Sequence, residues 1–253
     1  MRYYLKKDDN NTPTALIRYD GEEMIEQYWD RADKKWENTA AMTSTWIRGG
    51  DTFDLCTLEE AKAFCLDPFI MIEEKQLQAR REAEALIAQT LATDPTAPAE
   101  AKQVLNTAFE LAYQAHLTQF RRDNQTPYIV HPVEVAKRVQ GWQAVAVAFL
   151  HDVMEDNAAY TEAVLAQQGI PTQIIAATAA LTHHRTPEQV KRFAQYPEEG
   201  QLEYLDYVRR QVLPNPLARV VKIADIQCNL AGTPTQKQVE RYEKALLLLQ
   251  GQA

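Results

Sequence analysis

An α+β fold in two parts, a small antiparallel β-rich segment followed by an all-helical domain, is what this sequence predicts. Three observations lead there. Trp29, Trp36 and Trp46, three of the four tryptophans, fall within the first 56 residues among short aromatic runs. Only 8 glycines occur in 253 residues, which favours helix. From Ala99 onward apolar residues recur at helical spacing almost without a break. The expected boundaries are residues 1–68 for the β-rich domain, 69–98 for a helical connector and 99–253 for the helical domain.

In chain order, Thr14-Ala-Leu-Ile-Arg-Tyr19 followed by Asp20-Gly21 predicts a strand entering a tight hairpin turn. Tyr28-Trp29 and Lys35-Trp36 mark further strands of an antiparallel sheet. Gly49-Gly50-Asp51 breaks the chain, and Thr57 with Glu60 forms a capping box that opens a helix. Ile72 to Thr93 is a polar helix rich in Glu, Gln, Ala and Arg, ended by Asp94-Pro-Thr-Ala-Pro98. In the next helix Val104, Leu105, Ala108, Phe109, Leu111, Ala112 and Ala115 keep one face apolar. Further helices are expected at 133–139, 142–156, 161–168 with Gly169 as its stop, 171–181, 202–212, 216–230 and 236–249.

Bulk properties narrow the function. With 45% hydrophobic and 25% charged residues the chain is ordinary enough to bury a real core. A formal charge of −8 gives no general attraction to nucleic acid or an acidic membrane, so an anionic ligand must be met by local cations. Cys56, Cys65 and Cys228 form neither a CxxC pair nor an even framework, which fits a reducing compartment. The start lacks an apolar signal core, so a cytoplasmic protein is expected. The oligomeric state is not written in the sequence.

The most informative segment is the end of the run Trp142 to Leu150, where His151-Asp152 is followed by Val-Met-Glu155-Asp156. Four ionisable groups within six positions at the end of an apolar helix each cost roughly several kcal/mol unless paired or bound to metal. A divalent cation is the simplest compensation. His131 upstream and Asp225 downstream complete a set of two imidazoles and two carboxylates, which suits manganese, iron or zinc better than calcium. On a continuous helix His151 and Asp152 point about 100° apart, so both reach one ion only at the helix edge. Glu155 and Asp156 return to those directions one turn later, where one of them can hold a water.

Taken in order, Ala115-His116, Gln119-Phe-Arg-Arg122, Pro127-Tyr-Ile-Val-His131-Pro132, Phe149-Leu-His151-Asp152-Val-Met-Glu155-Asp156, Leu181-Thr182, Val221-Lys222-Ile-Ala-Asp225 and Asn229 form a motif set. It resembles the HD-type hydrolase domain of the RelA/SpoT alarmone family, stand-alone small alarmone hydrolases included, over roughly residues 104–232. The resemblance implies a manganese-dependent hydrolase that removes pyrophosphate from the 3′ position of ppGpp or pppGpp, with Fe2+ or Zn2+ as alternative metals. It implies His131, His151, Asp152 and Asp225 as metal ligands, Glu155 and Asp156 as the acidic pair beside the attacking water, and Asn229 as a pocket residue. Arg122, with Arg121 as its competitor, and Lys222 are the implied substrate contacts. Ile226, where the family has arginine or lysine after the metal aspartate, implies one phosphate-facing cation fewer. His183 stands where the family continues Leu-Thr with lysine.

The expected partner is therefore a small phosphorylated nucleotide, with neither nucleic acid nor membrane. No strand-rich segment follows residue 253, so hydrolysis without synthetase activity is expected. Two other readings stay open: an HD-fold phosphohydrolase acting on another nucleotide or phosphoester, and a noncatalytic sensor that binds metal and nucleotide. His183-His184-Arg185 reads as dipole partners at a helix end and not as a second metal site.

Overall fold

The structure is a computed structural model that describes residues 2–8, 10, 13–20, 25–30, 35–39, 53–57, 60–61, 68–121 and 126–251. The chain divides into two compact units, Met1–Glu74 and Lys75–Ala253.

The first unit holds a five-stranded sheet of β1 (Arg2–Lys7), β2 (Pro13–Asp20), β3 (Ile25–Asp30), β4 (Lys35–Asn38) and β5 (Asp54–Cys56), in the order β4-β3-β2-β1-β5. Every pairing is antiparallel. Because side chains alternate across a strand, the register sorts them into two faces. Leu5 opposite Leu16 joins Tyr3, Trp29 and Ala61 on one face. Tyr4 opposite Ile17 joins Tyr19, Tyr28 and Phe53 on the other. The three expected strands are β2, β3 and β4; β1 and β5 carry too few turn signals to stand out. The Thr57/Glu60 capping box is present, with Thr57 N–H donating to Glu60 Oε2 at 2.8 Å and Glu60 N–H to Thr57 Oγ1 at 3.2 Å. Gly21, Gly49-Gly50-Asp51 and Cys65 lie outside the described residues.

The helical part comprises α1 (Pro68–Thr93), α2 (Ala101–Ala115), α3 (Val130–Ala136), α4 (Trp142–Leu150), α5 (Val153–Asp156), α6 (Glu162–Gln167), α7 (Thr172–Leu181), α8 (Pro187–Gln195), α9 (Pro197–Tyr207), α10 (Pro216–Ala231) and α11 (Gln236–Leu249). At its centre lies α4, whose residues other than Gln143 are all buried, and which packs against α2, α3, α7 and α10. A helix apolar on every side can only be a core rod. Its N-terminus is fixed from a distance: Gly141 adopts φ +86°, and the Trp142 N–H donates to Asp94 Oδ2 at 3.0 Å. The Thr96 hydroxyl and that N–H hold the Asp94 carboxyl below the usual carboxylate range. Gly169, also left-handed at φ +79°, ends α6 as expected.

Three elements differ from expectation. The segment 142–156 is two helices, α4 and α5, separated at His151-Asp152. Residues 202–212 belong to a helix that starts earlier, at Pro197, and then widens into a π-helical turn, Val208–Val212, where the Leu213 N–H reaches Val208 O at 2.9 Å. Helix α8 was not expected. It buries no residue fully and its apolar side is only Val190 and Phe193, yet Thr186-Pro187-Glu-Gln189 forms a complete capping box.

Phe149 is fully buried and meets Phe109 of α2 edge to face at 5.5 Å. Replacing it by alanine empties the middle of the core. Phe149→Ala is expected to cost about 3–5 kcal/mol of unfolding free energy, read as a lower denaturant midpoint at unchanged slope. A midpoint equal to that of the unsubstituted chain would mean α4 is not the packing centre.

Candidate metal centre

The break after α4 shapes the site. His151 keeps helical dihedrals, but Asp152, at φ −103°, starts a new turn. Instead of extending the ladder, the buried His151 ring places Nδ1 2.8 Å from Ala148 O. That contact assigns the proton to Nδ1 and leaves Nε2 as the free lone pair. Breaking the helix swings Asp152 round until its Oδ2 lies 2.9 Å from His151 Nε2 and 3.7 Å from His131 Nε2.

His131 arrives on the first turn of α3, where Pro132 costs no helical hydrogen bond. The preceding loop is clamped by Arg121 N–H to Thr126 O at 2.8 Å and Tyr128 N–H to Gln119 O at 2.9 Å. Asp225 comes from α10, and its Oδ1 lies 3.1 Å from His131 Nε2 and 3.9 Å from His151 Nε2. The ligand atoms of His131, His151 and Asp225 all lie within 4.8 Å of one another, and all three residues are buried. This cluster could hold a metal ion.

The residues fit such an ion. His151 Nε2 is buried without a hydrogen-bond partner: Asp152 Oδ2 is near enough for attraction but off the line of a hydrogen bond. A bare lone pair facing carboxylate oxygens needs a cation between them, either a proton or a metal. In the protein without metal it is the proton. Burial alone would depress His151, but the charges of Asp152 and Asp225 outweigh it and raise the ring to about 9. Asp152 and Asp225 are held below the usual carboxylate range against their own burial, Asp152 by His151 and Asp225 by Lys222 and His131.

A second layer orients these ligands. Tyr128 OH donates to Asp152 Oδ2 at 2.7 Å, Asn229 Nδ2 to Asp225 Oδ1 at 2.6 Å, and Lys222 Nζ to Asp225 Oδ2 at 3.0 Å. Lys222, Asp225 and Asn229 stand at i, i+3 and i+7 on α10, so one face of one helix supplies the ligand and both its supports. Neither Tyr128 nor its layer role was singled out in the sequence, although its place three residues before His131 in Pro-Tyr-Ile-Val-His-Pro was visible.

The cluster opens into a cavity of about 740 Å³ lined by Tyr128, His131, Asp152, Glu155, Lys222, Asp225 and Asn229, with Arg121, Arg185 and Arg241 on its walls. Glu155 accepts the His183 N–H on Oε2 at 2.9 Å. The residue is exposed overall but lines the cavity with Asp152, and desolvation of its carboxyl together with that negative charge pushes it up to about 7. Asp156 is not among the lining residues; its Oδ2 lies 3.9 Å from His116 Nδ1, and burial with the Asp152 charge raises it to about 6. Arg122 lies outside the described residues. His183 also lines the cavity, stacked on Tyr207 at 4.2 Å and bound to Glu203 at 2.5 Å. Ile226 is fully buried in the apolar core and is not among the residues that line the cavity.

No protein-family model matches the chain. Over 149 residues it is 30% identical to a protein of Oryza sativa subsp. japonica named "Putative GTP diphosphokinase RSH1, chloroplastic". The match covers 56% of this chain and 16% of that protein, so the chain spans about a sixth of the relative's length.

Since His151 stays protonated up to about 9 without metal, an incoming ion must displace that proton. Metal affinity is expected to rise with pH across the range from 6 to about 9 and to level off above it. Titration of manganese or zinc into the metal-free protein checks this; an affinity flat with pH would place the ion elsewhere. His151→Ala and Asp225→Ala are each expected to lose the bound metal, measured by elemental analysis, because one of few ligands is gone. Ile226→Arg is expected to destabilise the fold by roughly several kcal/mol through a buried unpaired charge, visible as a lower melting temperature.

Proposed function

We propose that this chain is a metal-dependent phosphohydrolase acting on a phosphorylated nucleotide, and that its substrate is ppGpp, cleaved to GDP and pyrophosphate. The observation that carries the reading is the partnerless His151 Nε2 facing Asp152 and Asp225 at the floor of a cavity with arginines on its walls. A nitrogen and carboxylate ligand set beside an acid–base residue suits attack of water on phosphorus, and the wall cations suit the anionic remainder. The RSH relative directs the substrate toward guanosine nucleotides. Manganese is the metal proposed, with iron and zinc as the alternatives that the same ligands accept.

A divalent ion held by His131, His151, Asp152 and Asp225 supplies Lewis acidity, which makes water nucleophilic at neutral pH. The side chains do the rest. Glu155, near 7 and anchored through Oε2, keeps its other oxygen to accept the proton of the attacking water. Asp156, outside the cavity lining, takes the lesser part of that acidic pair. Asn229 and Lys222 hold Asp225 in place, and Lys222 offsets the buried negative charge. Arg121, which lines the cavity on the loop before Tyr128, or its neighbour Arg122 takes the substrate.

The relative is named a diphosphokinase, so the decisive experiment measures both hydrolysis and pyrophosphoryl transfer. With manganese, the protein is expected to release pyrophosphate from ppGpp in preference to other nucleotides in a panel. Transfer of pyrophosphate from ATP to GTP with no hydrolysis would overturn the reading; hydrolysis of a different nucleotide would keep the chemistry and replace the substrate. Glu155 must be ionised to accept a proton, and a metal charge beside Asp152 would lower it from its metal-free value of about 7, so turnover is expected to climb with pH to a plateau reached below that value. Glu155→Gln should retain metal, lower turnover by roughly two to four orders of magnitude and remove that limb.

A further inference from the structure

We propose that Arg241 is the anion clamp of this cavity, a guanidinium held ready for a phosphate or diphosphate group of the substrate away from the metal ligands. The proposal rests on the phosphohydrolase reading for the identity of the anion, but its evidence is separate. Arg241 comes from α11, outside every motif of the sequence, and lines the cavity that contains His131 and Asp225.

Of the other wall cations, Lys222 and Arg185 are already engaged, while Arg121 stands 6.0 Å from the Tyr128 ring centroid and belongs to the loop already assigned to the substrate. Lys222 Nζ lies 3.0 Å from Asp225 Oδ2. Arg185 donates to Glu203 Oε2 through Nε at 2.9 Å and Nη2 at 2.6 Å, and to Gly200 O at 3.0 Å. Arg241 is different: among the described residues no carboxylate lies within 4.0 Å of its guanidinium, and its Nε is buried with no hydrogen-bond partner. A buried donor without an acceptor is costly, and one that lines a ligand cavity has an obvious way to be satisfied.

Its posture is fixed in advance. The guanidinium carbon stands 4.7 Å from the Tyr204 ring centroid and 5.0 Å from that of Tyr242. Cation–π attraction to two rings holds the plane of the fork without using its N–H groups. Those N–H groups therefore remain to bind oxygen, and two parallel bonds to a phosphoryl group match the geometry of the fork. An ammonium in the same place would offer a point charge only. A partner carboxylate would have neutralised Arg241; two tyrosines position it and leave its charge unspent.

The test is calorimetric titration of inorganic pyrophosphate into the full chain as purified, with metal content measured before and after. Arg241→Gln is expected to bind pyrophosphate about ten- to a hundredfold more weakly with metal content and melting temperature unchanged. Arg241→Lys should recover only part of the loss, because the fork is missing. Equal affinity in the wild type and Arg241→Gln would overturn the clamp, as would a wild type that binds no pyrophosphate. If the glutamine variant does not fold, the lysine variant decides, since wild-type affinity there would rule out a forked contact. Arg241-dependent binding without hydrolysis of ppGpp would keep the clamp and reject the proposed substrate. Hydrolysis of ppGpp with an unchanged KM in Arg241→Gln would do the reverse.

Discussion

Everything in the helical unit is arranged around one electrostatic problem, the burial of Asp152 and Asp225 beside each other's imidazole partners. A carboxylate taken from water costs several kcal/mol unless opposite charge or hydrogen bonds replace the solvent, by rough estimate. Asp225 is supplied with His131, Asn229 and Lys222, and Asp152 with Tyr128 and His151. Even so, His151 Nε2 is left without a hydrogen-bond partner. The cluster is thus nearly but not fully balanced by protein groups, and the remaining imbalance is of the sign that a cation corrects.

The scaffold makes this arrangement affordable by rigidity. Helix α4 is apolar on all sides and is packed by four other helices, so the His151 ring at its end has one position, fixed further by Ala148 O. Helix α10 presents Lys222, Asp225 and Asn229 on one face while Val221, Ala224 and Ile226 are buried in the core around it. A shift of α10 along its axis would move ligand and supports together. The loop at Tyr128 is held by backbone bonds on both sides of the residues that carry Arg121 and Thr126. Precision at the centre is therefore inherited from packing, and the open side is left to the cavity and its cations.

Much of this was readable before any coordinates. The sheet followed from alternating aromatic strands, most helices from apolar periodicity with caps, and the metal cluster from the unusual density of ionisable residues around His151. What periodicity could not show was where the ladder stops. Residues 142–156 have an unbroken helical pattern, and only the His151 ring bonding Ala148 O explains why Asp152 turns away. Helix α8 escaped because it is short and its apolar side is only Val190 and Phe193, although a capping box opens it.

By itself, then, the sequence determined which residues are apolar, which carry charge, and at what spacing they recur, and these decide helices, strands and the donor set of the centre. They are local properties, and local order reveals them. Only the tertiary structure decided which charges are spent and which remain. Lys222, a substrate contact by resemblance, is bound to Asp225, and Arg185, a helix-end partner in the sequence, is bound to Glu203, while Arg241, in no motif, lies against the rings of Tyr204 and Tyr242 with its Nε unpartnered. Ile226 reads as a lost phosphate contact and is core. The physical reason is common to all of them: pairing and burial depend on groups that are distant along the chain and near in space.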